Sequence, residues 1–344
     1  MPIHDVIKEQ RKVKNKANSL ILSACVLLFM ATLCISSAHA NEKVTYRLKW
    51  IYNVSVVGAL YAETHHMFDK AGLEVDVKAG GPERDAIREL ELGYADFGAA
   101  SADQVLRARA KGSPVVVIAQ LFQVNPLQWI YRPSDVRIGK LSDLKGKVIG
   151  VTYGGNDETI MRTLLAEAGL SSPTDVTLFS VRYDYTPFYR HQVQLWPVYR
   201  NAQGPIISAQ LAKAGEKIAY FNPAEFGVQF VANSVVTEAR TVKEKPEMVQ
   251  RFLAALLAGW QQALDPKNQA EAIKTLQKYD PDTPQPILEE QLRITRKLVQ
   301  PAPDFVIGTI DPKAWKQTEQ IMLNQKQLAR KVNLKTILKP VDAP

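Results

Sequence analysis

Apolar and polar positions alternate through Val44-Thr45-Tyr46-Arg47-Leu48-Lys49-Trp50, which predicts a half-buried strand. From Gly58 to Lys70 the apolar positions (Leu60, Tyr61, Met67, Phe68) fall at helical spacing, and Ala71-Gly72 supplies a stop. Leu73 to Val77 alternates again. Arg84 to Leu92 reads as a helix ended by Gly93, Tyr94 to Gly98 as a short strand, and Asp103 to Lys111 as a helix ended by Gly112. Val115 to Ala119 is continuously apolar, as in the middle of a parallel sheet covered on both faces. This β-α-β-α-β-α-β order predicts a doubly wound α/β lobe.

The pattern then restarts. After a linker with a short helix (138–146), strands are expected at Lys147–Val151, Val176–Val181, Val193–Val198, Ile218–Phe221 and Gln229–Val236. Helices are expected at Glu158–Ala168 and Ile206–Ala214. From Pro246 the chain turns helical, with Phe252, Leu253, Leu256, Leu257, Trp260 and Leu264 on one apolar stripe. Further helices are expected at Gln269–Lys278, Pro286–Val299 and Pro312–Leu323. The fold class is therefore α/β with two doubly wound lobes. Lobe 1 takes residues 41–128 and 237–344; lobe 2 takes 129–236.

The first forty residues read as a secretory signal peptide. Lys8, Arg11, Lys12, Lys14 and Lys16 precede an apolar run from about Leu20 to Ile35, and Ser36-Ser37-Ala38-His39-Ala40 gives a cleavage pattern before Asn41. The run is shorter than the ~20 apolar residues of a spanning helix. Both cysteines, Cys25 and Cys34, lie in this leader, so the mature chain has no disulfide, thiolate nucleophile or cysteine-based metal site. Residues 41–344 carry 38 Lys/Arg and 33 Asp/Glu, a mild excess spread along the chain without a basic block of the nucleic-acid kind.

Two α/β lobes bind small ligands at the carboxyl ends of their strands, in the crevice between them. The candidate ligand-binding residues at those ends are Trp50, Asn53, Pro82, Ser101, Asn125, Tyr153, Gly154, Gly155, Asn156, Tyr185, Trp196, Tyr199 and Asn201. Trp50 offers a flat wall for a ring. Ser101 and the Tyr153-Gly154-Gly155-Asn156 turn precede helices, whose free N–H groups can hold polar or anionic groups. That turn lacks the lysine of a P-loop and the spacing of a dinucleotide fingerprint. His65 and His66 are adjacent, so on a helix they point about 100° apart and cannot serve one metal. His191 has no evident partner. No catalytic triad spacing is present, and no cofactor or metal site is expected.

From Tyr46 to about Gly259 the chain resembles the SsuA and thiamine-pyrimidine-precursor (NMT-like) branch of periplasmic substrate-binding proteins. The resemblance rests on Trp50-x-x-Asn53 with Gly58 and Tyr61-Ala62, Ala71-Gly72-Leu73-x-Val75, Gly80-Gly81-Pro82 and Gly93-Tyr94-Ala95-Asp96-Phe97-Gly98. It continues in Leu141-x-Asp143-Leu144-Lys145-Gly146-Lys147-Val148-Ile149-Gly150-Val151 and Lys245-Pro246-Glu247-x-Val249-x-Arg251-Phe252. It implies a type II periplasmic-binding-protein fold, with hinge strands at Leu127–Tyr131 and Phe230–Val236 and carboxyl-terminal helices packed on lobe 1. It also implies a periplasmic, monomeric receptor that passes a small solute to an inner-membrane ABC permease, with no nucleic-acid partner. Pyrimidines, flavins, sulfonates, nitrate and aromatic acids are the candidate solutes. The alternatives are a thiamine-pyrimidine-synthase-like enzyme and a ligand-presenting sensor subunit. Three departures oppose the synthase, and also the branch's usual pyrimidine ligand: no histidine in Asn53-Val54-Ser55-Val56-Val57, Gln194 and Gln203 where acidic residues are usual, and no mature cysteine.

Overall fold

The computed structural model describes residues 41–81, 83–182 and 184–341, so the leader lies outside the described residues. The chain from Glu42 onward forms one compact unit. It opens with β1 (Glu42–Arg47), α1 (Val57–Thr64), α2 (Met67–Lys70), β2 (Leu73–Lys78), α3 (Ala86–Glu91), β3 (Phe97–Ala100), α4 (Ala102–Ala110) and β4 (Val115–Gln120). There follow β5 (Leu127–Tyr131), β6 (Val148–Val151), α5 (Asn156–Glu167), β7 (Thr177–Ser180), α6 (Thr186–Tyr189), β8 (Trp196–Tyr199), α7 (Gln203–Lys213) and β9 (Ala219–Phe221). The chain then returns as β10 (Ser234–Glu238), α8 (Ala239–Glu244), α9 (Pro246–Leu264), α10 (Gln269–Tyr279), α11 (Gln285–Val299), α12 (Pro312–Asn324) and α13 (Leu334–Ile337).

The first sheet runs β2-β1-β3-β10-β4, with β10 antiparallel to both its neighbours. In the second lobe β8-β5-β9 is antiparallel and β6-β7 parallel, and an Ile149–Leu195 bridge joins them. The second lobe therefore repeats the order of the first, as β7-β6-β8-β5-β9. In each sheet the fourth position is an antiparallel strand that has just arrived from the other lobe.

The first crossing lies just before the expected hinge strand Leu127–Tyr131, and the second overlaps the expected hinge strand Phe230–Val236. The chain passes between sheets at 121–126 and again at 227–233, while β5 pairs wholly within the second sheet. The crossings are tied together. Leu121 N and Phe122 N donate to Asn233 O at 3.0 and 3.2 Å, and Asn125 Nδ2 donates to Phe230 O at 2.7 Å.

Two local expectations change. The helix expected over Gly58–Lys70 breaks into α1 and α2 where His66 takes a left-handed φ of 54°. The break lets α1 lie along α9 while Phe68 turns in to stack on Phe252 at 5.6 Å. Val115–Ala119 is not mid-sheet. As part of β4 it forms an edge, buried because Lys339 N donates to Val117 O at 2.8 Å and Gln120 N to Gly308 O at 3.0 Å. The carboxyl-terminal segment thus covers the edge that a further strand would otherwise take. It also shares a core with both lobes, since Trp315 and Met322 cluster with Ala100 and Val105 and with Ile149, Ile160 and Leu164.

The α1–α9 contact is backbone on backbone. A Cβ at Gly259 would lie 2.5 Å from Gly58 O, and one at Gly58 would lie 2.2 Å from the Trp260 ring. Gly259→Ala is therefore expected to lower stability by about 2 kcal/mol through overpacking. Denaturant unfolding checks this, with a lower midpoint and an unchanged slope; an unchanged midpoint contradicts the packing account.

Candidate functional site

The carboxyl ends of β1 and β8 meet through one side-chain contact, and Asp103 and Asp157, at the helix starts after β3 and β6, act on the same charge. Lys49, two residues beyond β1, donates from Nζ to Tyr199 Oη at the end of β8 at 3.1 Å, with the ammonium 5.6 Å from the Tyr199 ring centre. Burial pulls the Lys49 pKa down, but Tyr199 and the carboxylates of Asp103 and Asp157 outweigh it, so the ammonium is held above the ordinary lysine range. Lys49, Asp103 and Asp157 escaped the sequence reading. Lys49 stands beside Trp50 at a strand end, and each aspartate is the second residue of a helix that starts at such an end, which was the available signal.

Ser101 and Asp103 begin α4. Ser101 is 1% exposed and forms a capping box, its N–H donating to Gln104 Oε1 at 3.1 Å. Its hydroxyl donates to Asp103 Oδ1 at 2.5 Å, and Arg107 pairs with the same carboxylate. Ala102 N donates to Val231 O at 3.2 Å. Across the space, the Tyr153-Gly154-Gly155-Asn156 turn leads into α5. Thr152 N donates to Asp157 Oδ2 at 2.7 Å, Gly154 N to Glu158 Oε2 at 2.8 Å and Gly155 N to Thr152 O at 2.8 Å. Gly154 adopts φ +81°, a left-handed backbone suited to glycine. These N–H groups, expected to meet a ligand, are thus used by the chain's own side chains and backbone. Burial pushes Asp157, 5% exposed, up to about 6, against the hydrogen bonds from Thr152.

The remaining candidates separate by position. Trp50 is partly buried and accepts from Gly80 N at 2.9 Å through its carbonyl. Tyr153 is exposed and donates to Leu178 O at 3.2 Å. The Asn156 amide nitrogen is buried without a hydrogen-bond partner. Asn53 caps a turn, accepting from Ser55 N at 2.7 Å, and Asn125 spends both ends of its amide on the crossings, accepting from Leu127 N at 2.9 Å. Trp196 is 1% exposed in the second-lobe core against Phe179, Tyr185 and Phe188. Tyr185 packs on it at 5.8 Å, and burial pushes its hydroxyl up to about 12. Asn201 is fully buried, donating to Ser55 Oγ at 3.1 Å and Thr295 Oγ1 at 3.0 Å, so it joins the lobes instead of lining an open wall. Pro82 lies outside the described residues.

Gln194 and Gln203 accept backbone N–H groups, from Val148 at 2.7 Å and Tyr199 at 3.0 Å. His191, expected to lack a partner, meets Asp135 Oδ2 at 2.6 Å on the surface. His65 stacks on Tyr61 at 3.7 Å. Among the described residues no group of three or more metal-ligating side chains occurs.

Comparison with known proteins places this geometry. A formylaminopyrimidine-binding protein of Halalkalibacterium halodurans is 24% identical over 307 residues, covering 88% of this chain and 91% of that protein. The riboflavin-binding protein RibY of Chloroflexus aurantiacus is 25% identical over 300 residues, covering 82% of this chain and 80% of its own. The periplasmic aliphatic sulphonate binding protein SsuA of Escherichia coli superposes with a TM-score of 0.70 at 17% identity, over 88% of this chain and 94% of that one. The fold is that of the periplasmic binding proteins. Residues 53–270 match the model of the family described as NMT1/THI5 like, and the chain belongs to that family.

Proposed function

We propose that this chain is the exported solute-binding receptor of an ABC importer, and that it closes on a planar, uncharged nitrogen heterocycle. The observation that carries the choice of solute is that Gln104, Asp157 and Glu158 take the N–H groups of Ser101, Thr152 and Gly154, just before the two helices, and that the Asp103 and Asp157 carboxylates stand beside them. An anion such as a sulfonate or nitrate would have to displace those side chains and approach two buried carboxylates. A neutral ring meets no such conflict. It can lie against Trp50 and Tyr199 and accept a hydrogen bond from Lys49 in place of the Tyr199 hydroxyl. Two relatives named for formylaminopyrimidine and riboflavin point the same way.

The moving bodies in this reading are residues 41–128 with 237–344, and residues 129–236, turning at the two crossings. Ligand closes them by binding the closed arrangement more tightly than the open one. Capture in the periplasm and delivery to an inner-membrane permease suit a site made of backbone turns, aromatics and one ammonium.

Thermal unfolding of the exported protein with a panel of solutes tests the reading. Formylaminopyrimidine or riboflavin at 100 times its dissociation constant should add about 2.7 kcal/mol, while an alkanesulfonate and nitrate add nothing. Stabilisation by the sulfonate alone contradicts it.

Asp157 gives a second test. Its folded-state value of about 6 lies above the ordinary carboxyl value of 3.8, so the stability linked to it is full below about pH 4 and lost as pH rises through about 6. Asp157→Asn should therefore be more stable than the parent at pH 8, by roughly 2 kcal/mol, with the gain vanishing near pH 4. A pH-independent difference in denaturant midpoint rejects the assignment.

A further inference from the structure

The mild basic excess of residues 41–344 reads as dispersed, yet it is gathered in one place. Lys326, Arg330, Lys331, Lys335 and Lys339 fall in a fourteen-residue stretch without Asp or Glu, so this stretch equals the whole excess of 38 basic over 33 acidic residues. The fold sets Arg109 of α4 against it. The Arg109 guanidinium donates to Ser113 O at 2.9 Å and to Thr336 Oγ1 at 3.2 Å. Arg109, Arg330 and Lys331, with Asn333 and Thr336, line a concavity of about 230 Å³.

Among the described residues, none of these three cations has a carboxylate within ion-pair distance. The neighbouring Glu319 is buried and turned to Val332 N at 2.7 Å. The negative end of α4 accounts for Arg109, but Arg330 and Lys331 stand on irregular chain and are exposed. Three like charges around one hollow repel each other, and a concave wall concentrates their field. The forked guanidinium donors of Arg109 and Arg330 with the Lys331 ammonium and the Asn333 amide suit a tetrahedral oxyanion, while the Thr336 hydroxyl donates to Asn333 O at 2.8 Å.

We propose that this hollow is a phosphate-binding site, taking the phosphate of an anionic lipid headgroup or free orthophosphate. It lies at the far end of α4 from Ser101, about 12 Å along the helix. It is therefore a separate place from the space between the lobes. A lipid phosphate here would hold the protein at the membrane face through this cationic stretch.

The test uses the exported chain and an Arg330→Gln/Lys331→Gln variant, changed only at exposed positions. A Lys267→Gln/Lys274→Gln variant, exposed elsewhere, matches its net charge. Two probes are used at low salt: phosphatidylcholine vesicles containing phosphatidylglycerol, by co-sedimentation, and inorganic phosphate, by calorimetry. The first variant should bind about 30-fold more weakly and the second close to the parent. Vesicle binding that inorganic phosphate displaces supports the lipid source; phosphate binding without vesicle binding supports the free anion. Equal binding by the parent and the Arg330/Lys331 variant overturns the proposal, as does failure of the parent to bind either probe.

Discussion

Each sheet of this molecule is completed by a strand that comes from the other lobe, and that exchange governs the rest. β10 enters the first sheet between β3 and β4, and β5 enters the second between β8 and β9. The chain must therefore cross twice, side by side. Asn125 holds the crossings, donating to Phe230 O and accepting from Leu127 N, while Asn233 O takes the N–H groups of Leu121 and Phe122. The crossings join the sheets at their carboxyl ends, where Ser234 pairs with Ala100 and Gln120 and Leu127 with Tyr199, so the strand ends of both sheets meet beside them. Lys49 and Tyr199 touch there because the topology aims both strand ends at one space.

What meets in that space is electrically balanced before any solute arrives. Lys49 and Arg107 are positive; Asp103 and Asp157 are negative. Beside both helix starts, where an open site would attract an anion, the N–H groups of Ser101, Thr152 and Gly154 are taken by Gln104, Asp157 and Glu158. The fold is shared with a protein named for sulphonates, and in the proposed reading the choice of a neutral solute follows from these side chains.

Much of the fold was legible because periodicity reports burial. Strands β1, β2 and β6 and the stripe of α9 follow from alternation and helical spacing alone. The insertion of β10 was not legible, since an antiparallel strand taken from the other lobe leaves no mark in its own pattern. The edge position of β4 was hidden for the same reason: the covering chain from Gly308 and Lys339 makes it as buried as a central strand. At the site, sequence reasoning named Trp50, Ser101 and Tyr199 at strand ends. It also named Trp196, whose aromatic ring belongs to the core, and Asn53 and Asn125, whose amides are consumed by turns. Composition cannot separate a polar side chain that meets a ligand from one that satisfies backbone. That distinction appears only when hydrogen-bond partners are known.

The central claim is that the lobes close on a neutral ring held by Lys49 against aromatic walls. A crystal structure of the exported protein with formylaminopyrimidine tests it most directly. The account predicts the ring between Trp50 and Tyr199, with a ring nitrogen or carbonyl within hydrogen-bond distance of Lys49 Nζ and the Asp157 and Glu158 caps intact. A ligand bound outside this space, or bound at the α5 start with those carboxylates displaced, would contradict it.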